Sequence, residues 1–554
     1  MKKEFCILLY IYLLLAFPLW AQRQAPPKHE YRAVWLTTVE NLDWPKTLVK
    51  SSSDISKQQG ELIVLLDSLK RMNVNTVLLQ TRVRGDVIYP SSVEPFSHVL
   101  TGVEGRSPGY DPLAFAIEEC HKRGMQLHAW MVTMPLGKEE HIRRQGKLAL
   151  SRKRKELCTR YRGEWFMEPG NPEVIPYLVS IVEEVVSRYD VDGVHFDYIR
   201  YPDRTKGYPD ASLYRRYGKG LSLATWRRNN VTAVVSALYK RVKELKPWVR
   251  VSCAPLGKYN DLSRYRSLGW DAYNAVFQEA QDWMRDGIMD ILFPMIYFNG
   301  NNFYPFVIDW QENSYGRHIV PGIGIYRLLQ QYGGWPQIEI ERQLNTSRAA
   351  GTAGTAMFRA EQLLGVGSVA YSKVYASPAL VPPMTWASSA PCKPSGLKAS
   401  RDKDGVSISW DRVPAEQGHP AMRYNVYGSL DTVADVNDIG NLLVASLDST
   451  SFRWNCLTRS AMSVAVTAVN AYGVESEPVA VVFNDECSLV REISLPELPG
   501  GWGYKLEVSD MYGRLLYHGR YSRSVRVGGL DGGCYMLKVY DRRGALVDSW
   551  PIRR

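Results

Sequence analysis

From Tyr31 to about Thr385 the chain alternates two apolar patterns. Short runs with little polar interruption, Ala33–Thr38, Thr76–Arg82 and Gln126–Met131, read as buried strands. Between them apolar residues recur at helical spacing. Leu62, Leu65, Leu66 and Leu69 share one face of Glu61–Met72, Pro112–Arg123 follows the second strand, and Tyr177–Val186 precedes the stretch Asp192–Pro202. Trp226–Leu245 and Tyr273–Asp286 extend the helical series, and strands are predicted at Arg250–Pro255, Asp290–Tyr297, Ile319–Tyr326 and Thr355–Phe358. This order predicts an α/β fold, a (β/α)8 TIM barrel over residues 30–386 with loop insertions. The fourth strand, within Asp192–Pro202, stops on the carboxylate of Asp197. Barrels of this kind place their chemistry at the carboxyl ends of the strands, so Asp197 is the leading candidate. The structural alternative is a loop cap or a pair with Arg200. Asp192, at the buried start of the strand, is expected to make structural hydrogen bonds.

Past Thr385 the pattern changes to short alternating strands. Ser388–Pro394 has linker composition, and Gly405–Trp410, Arg423–Gly428 and Ser463–Asn470 alternate apolar with polar residues. They predict an all-β sandwich over 392–484 with Trp410 in its core, in an order that resembles fibronectin type III. A small β domain is expected over 489–554, where Gly-rich turns separate Leu506–Leu516 from Gly533–Tyr540. It resembles the C-terminal sorting domains of one secretion route in Bacteroidota, with a plain structural sandwich as the alternative.

Composition narrows the class. At 554 residues, 45% hydrophobic and 23% charged, the chain is globular and large enough for two or three domains. Lys2 and Lys3 precede an apolar run from Ile7 to Trp20, and Ala21 offers a cleavage site, so residues 1–21 read as a signal peptide, with an uncleaved anchor as the alternative. The expected location is the periplasm or outer surface of a Gram-negative bacterium, with no stable membrane span after cleavage. The seven cysteines beyond the signal are scattered, without a disulfide framework or zinc-site spacing. The net charge of +11 suits a polyanionic glycan or a membrane surface, and equally a merely soluble basic surface. A nucleic-acid partner is not expected, because no compact basic and aromatic motif occurs. No cofactor is expected and no metal triad emerges. His128 and His195 lie within strands, where hydrogen-bonded core roles outnumber metal ligation.

Several spaced motifs then occur in order: Arg32–Thr38, Asn41-Leu42-Asp43-Trp44-Pro45, Gly109-Tyr110-Asp111-Pro112-Leu113, Pro169-Gly170-Asn171-Pro172-Glu173 and Asp192–Pro202. Together they resemble the glycosyl hydrolase-like 10 family, exported bacterial barrels of which some members cleave peptidoglycan strands stripped of their peptides. The resemblance implies a glycoside hydrolase with a polysaccharide substrate and assigns Asp197 as principal catalytic acid.

Glycoside hydrolysis needs a proton donor and a second carboxylate or a substrate group. The end of the seventh strand, a common place for the second acid, reads Gly324-Ile325-Tyr326-Arg327. Against the chitinase pattern Asp192-Gly193 match, but Ile199 stands where the glutamic acid belongs. The family commonly has an arginine and an aspartate after strand two, so Arg82 and Asp86 become candidates to hold sugar hydroxyls or to supply the second acid, with Gln80 beside them. Glu40, where the family has tryptophan, is a further catalytic candidate or a solvated loop carboxylate. Trp130, Tyr198, Arg200 and Tyr297 are candidate substrate contacts. Trp44, Tyr89, Tyr201 and Phe298 join them in an expected aromatic face, with core packing as the default for each. The basic segment Lys138–Arg162 is expected to be a loop or helical insertion, steering a polyanion or simply solvated. Two functions compete: an exported hydrolase of amino-sugar polysaccharide, and a non-catalytic glycan-binding envelope scaffold on a degenerate barrel. A neutral polysaccharide is a third option within the enzyme class.

Overall fold

A computed structural model describes residues 26–203, 205–402, 405–429, 433–454, 462–483, 492–494, 504–510, 515–520, 524–526, 534–540 and 546–553. The expected signal peptide lies outside the described residues. Parallel strands β1 (Tyr31–Leu36), β2 (Thr76–Arg82), β3 (Gln126–Val132), β4 (Gly193–Asp197), β5 (Arg250–Cys253) and β6 (Ile291–Leu292) pair in succession. The seventh stave comes in two pieces. β7 (His318–Ile319) pairs with β6, and β8 (Gly322–Ile323) pairs with β9 (Gly354–Met357), which returns to β1 and closes the barrel. The expected sixth and seventh strands are shortened because Pro294 and Pro321 cannot donate to a ladder. The expected helix Tyr273–Asp286 is likewise split into Ala272–Ala275 and Ala280–Arg285, with Phe277 between them at φ 64°.

Two-residue periodicity sorts each strand into two layers. Val34, Leu36, Val77, Leu79, Ala129, Met131, Val194 and Phe196 face the surrounding helices, chiefly α1 (Ser52–Arg71), α2 (Pro112–Lys122), α3 (Val174–Arg188) and α4 (Leu223–Leu245). Tyr31, Ala33, Trp35, Leu78, Trp130, Val132, Ile291, Phe293 and Ala356 fill the barrel lumen. Burial of each such large side chain contributes about 1.5–3 kcal/mol.

Charges at the amino-terminal ends of the strands are paired. Asp192 Oδ2 accepts from Leu127 N and meets His121 Nε2, both at 2.9 Å, the structural role expected of it. Asp290 is held by Lys243 at 2.6 Å and Arg317 at 3.3 Å.

The basic insertion is an antiparallel sheet of Pro135–Lys138, Glu164–Met167 and Cys158–Tyr161, carrying the short helix Glu139–Gln145. Beyond the barrel, a three-stranded and a four-stranded antiparallel sheet enclose Val406, Ile408, Trp410, Tyr424 and Val464. This assembly contacts the barrel through Lys28 and Glu475 at 2.6 Å and through Met384 N donating to Tyr472 O at 3.0 Å. A further four-stranded sheet spans Lys505–Arg553. Among the described residues no helix is long and apolar enough to cross a membrane.

Candidate active site

The lumen parity of β4 selects the central residues. His195 points inward between Val194 and Phe196; Trp35 Nε1 donates to its Nε2 at 3.1 Å, and Ser252 Oγ lies 3.0 Å from its Nδ1. Burial holds both His195 and His128 well below the usual imidazole range, so both are neutral core residues. Asp197, two positions further, shares the lumen parity and stands at the open carboxyl end.

Asp197 is 5% exposed. Its Oδ1 accepts from Tyr198 N at 2.8 Å and its Oδ2 from Trp130 Nε1 at 3.2 Å. Thr133 anchors the backbone at this point, donating from N at 2.8 Å and from Oγ1 at 2.6 Å to Asp197 O. Burial raises the carboxyl to about 6, against the opposing effects of Arg200, the Tyr198 amide and Trp130. A carboxyl so placed holds a proton well above the usual aspartate range, as a general acid requires.

The neighbouring groups form a wall. Tyr297, in lumen register with Phe293, has its phenol pushed well above the usual range by burial and by the Asp197 charge, which leaves it a neutral donor. Its ring centroid lies 5.3 Å from Phe358 and 5.9 Å from Tyr326, which in turn packs 5.5 Å from the half-exposed Tyr332. Tyr198 is 41% exposed and adopts φ 51°, a left-handed conformation that costs about 1–2 kcal/mol outside glycine. The Asp197 carboxylate holds its amide, and the Arg200 guanidinium stacks 4.6 Å from its ring. Such strain concentrates at functional sites.

The glycines of the seventh stave explain the absent acid. A Cβ at Gly324 would lie 2.9 Å from Tyr297 Cβ, and one at Gly322 would lie 3.0 Å from Trp35. The space that a strand-seven carboxylate would occupy is taken by Tyr297.

The other expected residues are distributed differently. Trp130 is 3% exposed and orients Asp197 rather than presenting a face to sugar. Gln80 is buried, its Oε1 accepting from Thr38 N and Val39 N at 3.0 and 2.9 Å, so it secures the loop after β1. Arg200 is 5% exposed and pairs with Asp203. Arg82 is no sugar clamp. Its five N–H donors go to Glu94, Val132 O, Thr133 O and Met167 Sδ, all buried. Glu40 is tied to Arg84 at 2.7 Å and is held below the usual carboxyl range chiefly by that hydrogen bond. It is therefore unsuited to donating a proton. Asp86 lies with His98, Glu104 and His141. Of the expected aromatic face, Trp44, Tyr89 and Tyr201 are at most 1% exposed and belong to the core.

Two features escaped the sequence reading. Glu168, immediately before the Pro169–Glu173 motif, is buried and raised to about 7 chiefly by desolvation. Its Oε1 accepts from Gly170 N at 3.0 Å, and this bond and the Tyr208 hydroxyl oppose part of the desolvation. The strand before it joins the loop after β3, where Met134 O accepts from Met167 N at 2.7 Å, one residue beyond the Thr133 that bonds Asp197 O. The second feature is the four-residue Asp86 cluster, whose members come from separate loops with no motif spacing.

Comparison with known proteins matches residues 30–332 to the glycosyl hydrolase-like 10 family. The chain is 32% identical over 435 residues to the glycosyl hydrolase YngK of Bacillus subtilis (strain 168), covering 73% of this chain and 83% of that protein. It is also 32% identical over 367 residues to the glycosyl hydrolase DigH of Escherichia coli (strain K12), covering 60% of this chain and 83% of DigH. Among solved structures, the glycoside hydrolase domain of PgaB (BpsB) from Bordetella bronchiseptica superposes with a TM-score of 0.42 at 15% identity, over 61% of this chain and 99% of that one. With the family match spanning more than half of the chain and carrying β4 and its terminal acid, the protein belongs to the glycosyl hydrolase-like 10 family and is a glycosyl hydrolase.

Proposed function

We propose that the protein cleaves glycosidic bonds in an amino-sugar polysaccharide of the cell envelope, such as peptidoglycan strands freed of peptides, with Asp197 as general acid. The carrying observation is the buried Asp197 carboxyl, raised to about 6 at the open end of the lumen and facing the neutral phenol of Tyr297. The net charge of +11 supports a polyanionic substrate. The leader-like residues 1–21 support export to the periplasm or outer surface. The β-sandwich after the barrel, read as a fibronectin type III-like spacer, is consistent with work on an extended polymer.

Among the described residues no second carboxylate hydrogen-bonds Asp197, and Gly324 occupies the strand-seven position. We therefore assign the second role to the substrate's own acetamido group. Its carbonyl oxygen attacks the anomeric carbon as the glycosidic C–O bond breaks, and the Asp197 proton passes to the leaving oxygen. Tyr297 is placed to hold the acetamido group. Water then opens the cyclic intermediate, giving a proton back to Asp197.

The test uses denuded glycan strands and their chemically N-deacetylated counterpart, with soluble saccharides measured by chromatography. The wild type is expected to release products from the acetylated polymer alone, and Asp197→Asn to lose about 100-fold or more in kcat/KM. Equal turnover by Asp197→Asn refutes the acid assignment. Equal turnover of the deacetylated strands refutes substrate assistance.

A further inference from the structure

Four side chains outside the Asp197 site converge beside the loops that follow β2 and β3. Asp86, His98 and Glu104 come from the loop after β2, and His141 from the helix Glu139–Gln145 of the insertion. One nitrogen or carboxylate oxygen from each lies within 4.8 Å of the others. Asp86 is 1% exposed, His141 4%, the Glu104 side chain 5% and that of His98 17%.

Each residue also leaves one buried atom without a hydrogen-bond partner: Asp86 Oδ1, His98 Nδ1, Glu104 Oε2 and His141 Nε2. Buried polar atoms are normally paired, and four orphans in one cluster are a concentrated exception. Proximity is not lacking. His98 Nδ1 lies 3.1 Å from Glu104 Oε1 and His141 Nε2 lies 3.4 Å from Asp86 Oδ2, but neither contact has hydrogen-bond alignment. Atoms that crowd without addressing one another are arranged as ligands around a shared centre. Ligands about 2.0–2.2 Å from zinc stand roughly 3.4 Å apart at tetrahedral edges, so the four ligand atoms themselves need move only about 1 Å to close on an ion.

We propose that Asp86, His98, Glu104 and His141 bind one first-row divalent transition ion, Zn2+ by preference, which pins the insertion to the loop after β2. Two imidazoles with two carboxylates favour zinc over calcium or magnesium, which select all-oxygen sites. Four protein ligands leave no open position, so the role is structural.

The surrounding shell makes a further requirement. Arg144 donates from Nη2 to His141 Nδ1 at 2.9 Å and from Nε to Glu104 Oε1 at 3.1 Å, while Gln145 Nε2 lies 3.4 Å from Asp86 Oδ2. An arginine can only donate, so His141 Nδ1 accepts from it and the ring proton sits on Nε2. For Nε2 to bind metal the proton must move to Nδ1, and Arg144 must swing aside. Arg144 is 38% exposed and free to do so.

The test uses the full-length, tag-free protein. The wild type, purified without chelator, is expected to contain about one equivalent of zinc by mass spectrometry. Chelator dialysis should lower Tm by several degrees, and added Zn2+ should restore it. Asp86→Asn and His98→Ala should each abolish the Zn2+-dependent rise, whereas Arg144→Gln should bind Zn2+ more tightly. If a variant fails to fold, the wild-type stoichiometry and the visible spectrum of the Co2+ form still decide the matter. An absence of bound metal together with a Tm unmoved by Zn2+, Mn2+ and Ni2+ overturns the proposal. So does Zn2+ binding that survives unchanged in folded Asp86→Asn and His98→Ala.

Discussion

Replacing Asp197 by asparagine should make the protein more stable at neutral pH while disabling it. The structure raises the carboxyl from the ordinary 3.8 to about 6, so the folded state binds more protons than the unfolded state between those values. This group therefore favours folding at low pH, loses that contribution as pH rises from 3.8 to 6, and leaves its full penalty above 6. The difference of about two pH units, at 1.36 kcal/mol each, is roughly 3 kcal/mol. Asparagine removes the penalty but matches only one of the two N–H donors. Its amide nitrogen must face either Tyr198 N or Trp130 Nε1, a mismatch of about 1 kcal/mol or more. The net expectation is a gain of about 1–2 kcal/mol at about pH 8 that disappears by about pH 4. Urea unfolding of both proteins, followed by tryptophan fluorescence at the two pH values, measures it. The reasoning fails if the stability difference between variant and wild type does not grow by about 2 kcal/mol from the lower to the higher pH.

The same carboxyl should set the alkaline limb of the pH–rate profile, since a general acid works protonated and activity falls as pH rises through about 6. Arg200→Gln and Trp130→Phe should both move that limb upward, Arg200→Gln further, because Arg200 is the largest effect opposing burial and Trp130 the smallest. Profiles of kcat/KM that stay fixed, or that move in the reverse order, contradict this. Arg82→Met should destabilise by about 3–5 kcal/mol in chemical denaturation, because it leaves Glu94 buried and unpaired. Glu40→Gln, by contrast, breaks only a largely exposed pair with Arg84 and should change stability by less than about 1 kcal/mol.

The barrel was legible because burial on both faces writes parallel strands as uninterrupted apolar runs. Where that signal was overruled, proline did it: Pro294 and Pro321 truncate runs that looked like full strands. Asp197 was legible from its position at the end of β4, and His195 as a core histidine from its place within the strand. Partners contributed by loops were not. Arg82 and Asp86 carry the expected residue types, but only the folded loop shows that Arg82 spends its donors on Glu94 and backbone carbonyls. Asp86, His98, Glu104 and His141 are brought together by an insertion whose path no local pattern encodes. Glu168 was missed because its raised pKa comes from burial, a tertiary property.

Charge is divided along the barrel axis in a way that sharpens the question of the second catalytic group. At the amino-terminal ends Asp192 and Asp290 meet cations or amide donors and serve stability. Toward the carboxyl ends Asp197 and Glu168 remain without a cationic ion pair and are raised to about 6 and about 7. Unpaired buried acids are costly, and their gathering at the functional face is the pattern expected of working groups. Glu168 is therefore a carboxyl to test for the role assigned here to the acetamido group. Glu168→Gln separates the two: it removes a buried acid that raises the cost of folding above about pH 7, so it should not destabilise the barrel at about pH 8. If substrate assistance operates, this variant retains kcat on acetylated strands within a few-fold. A loss of about 100-fold with stability intact would instead make Glu168 the second acid and the reaction a two-carboxylate hydrolysis.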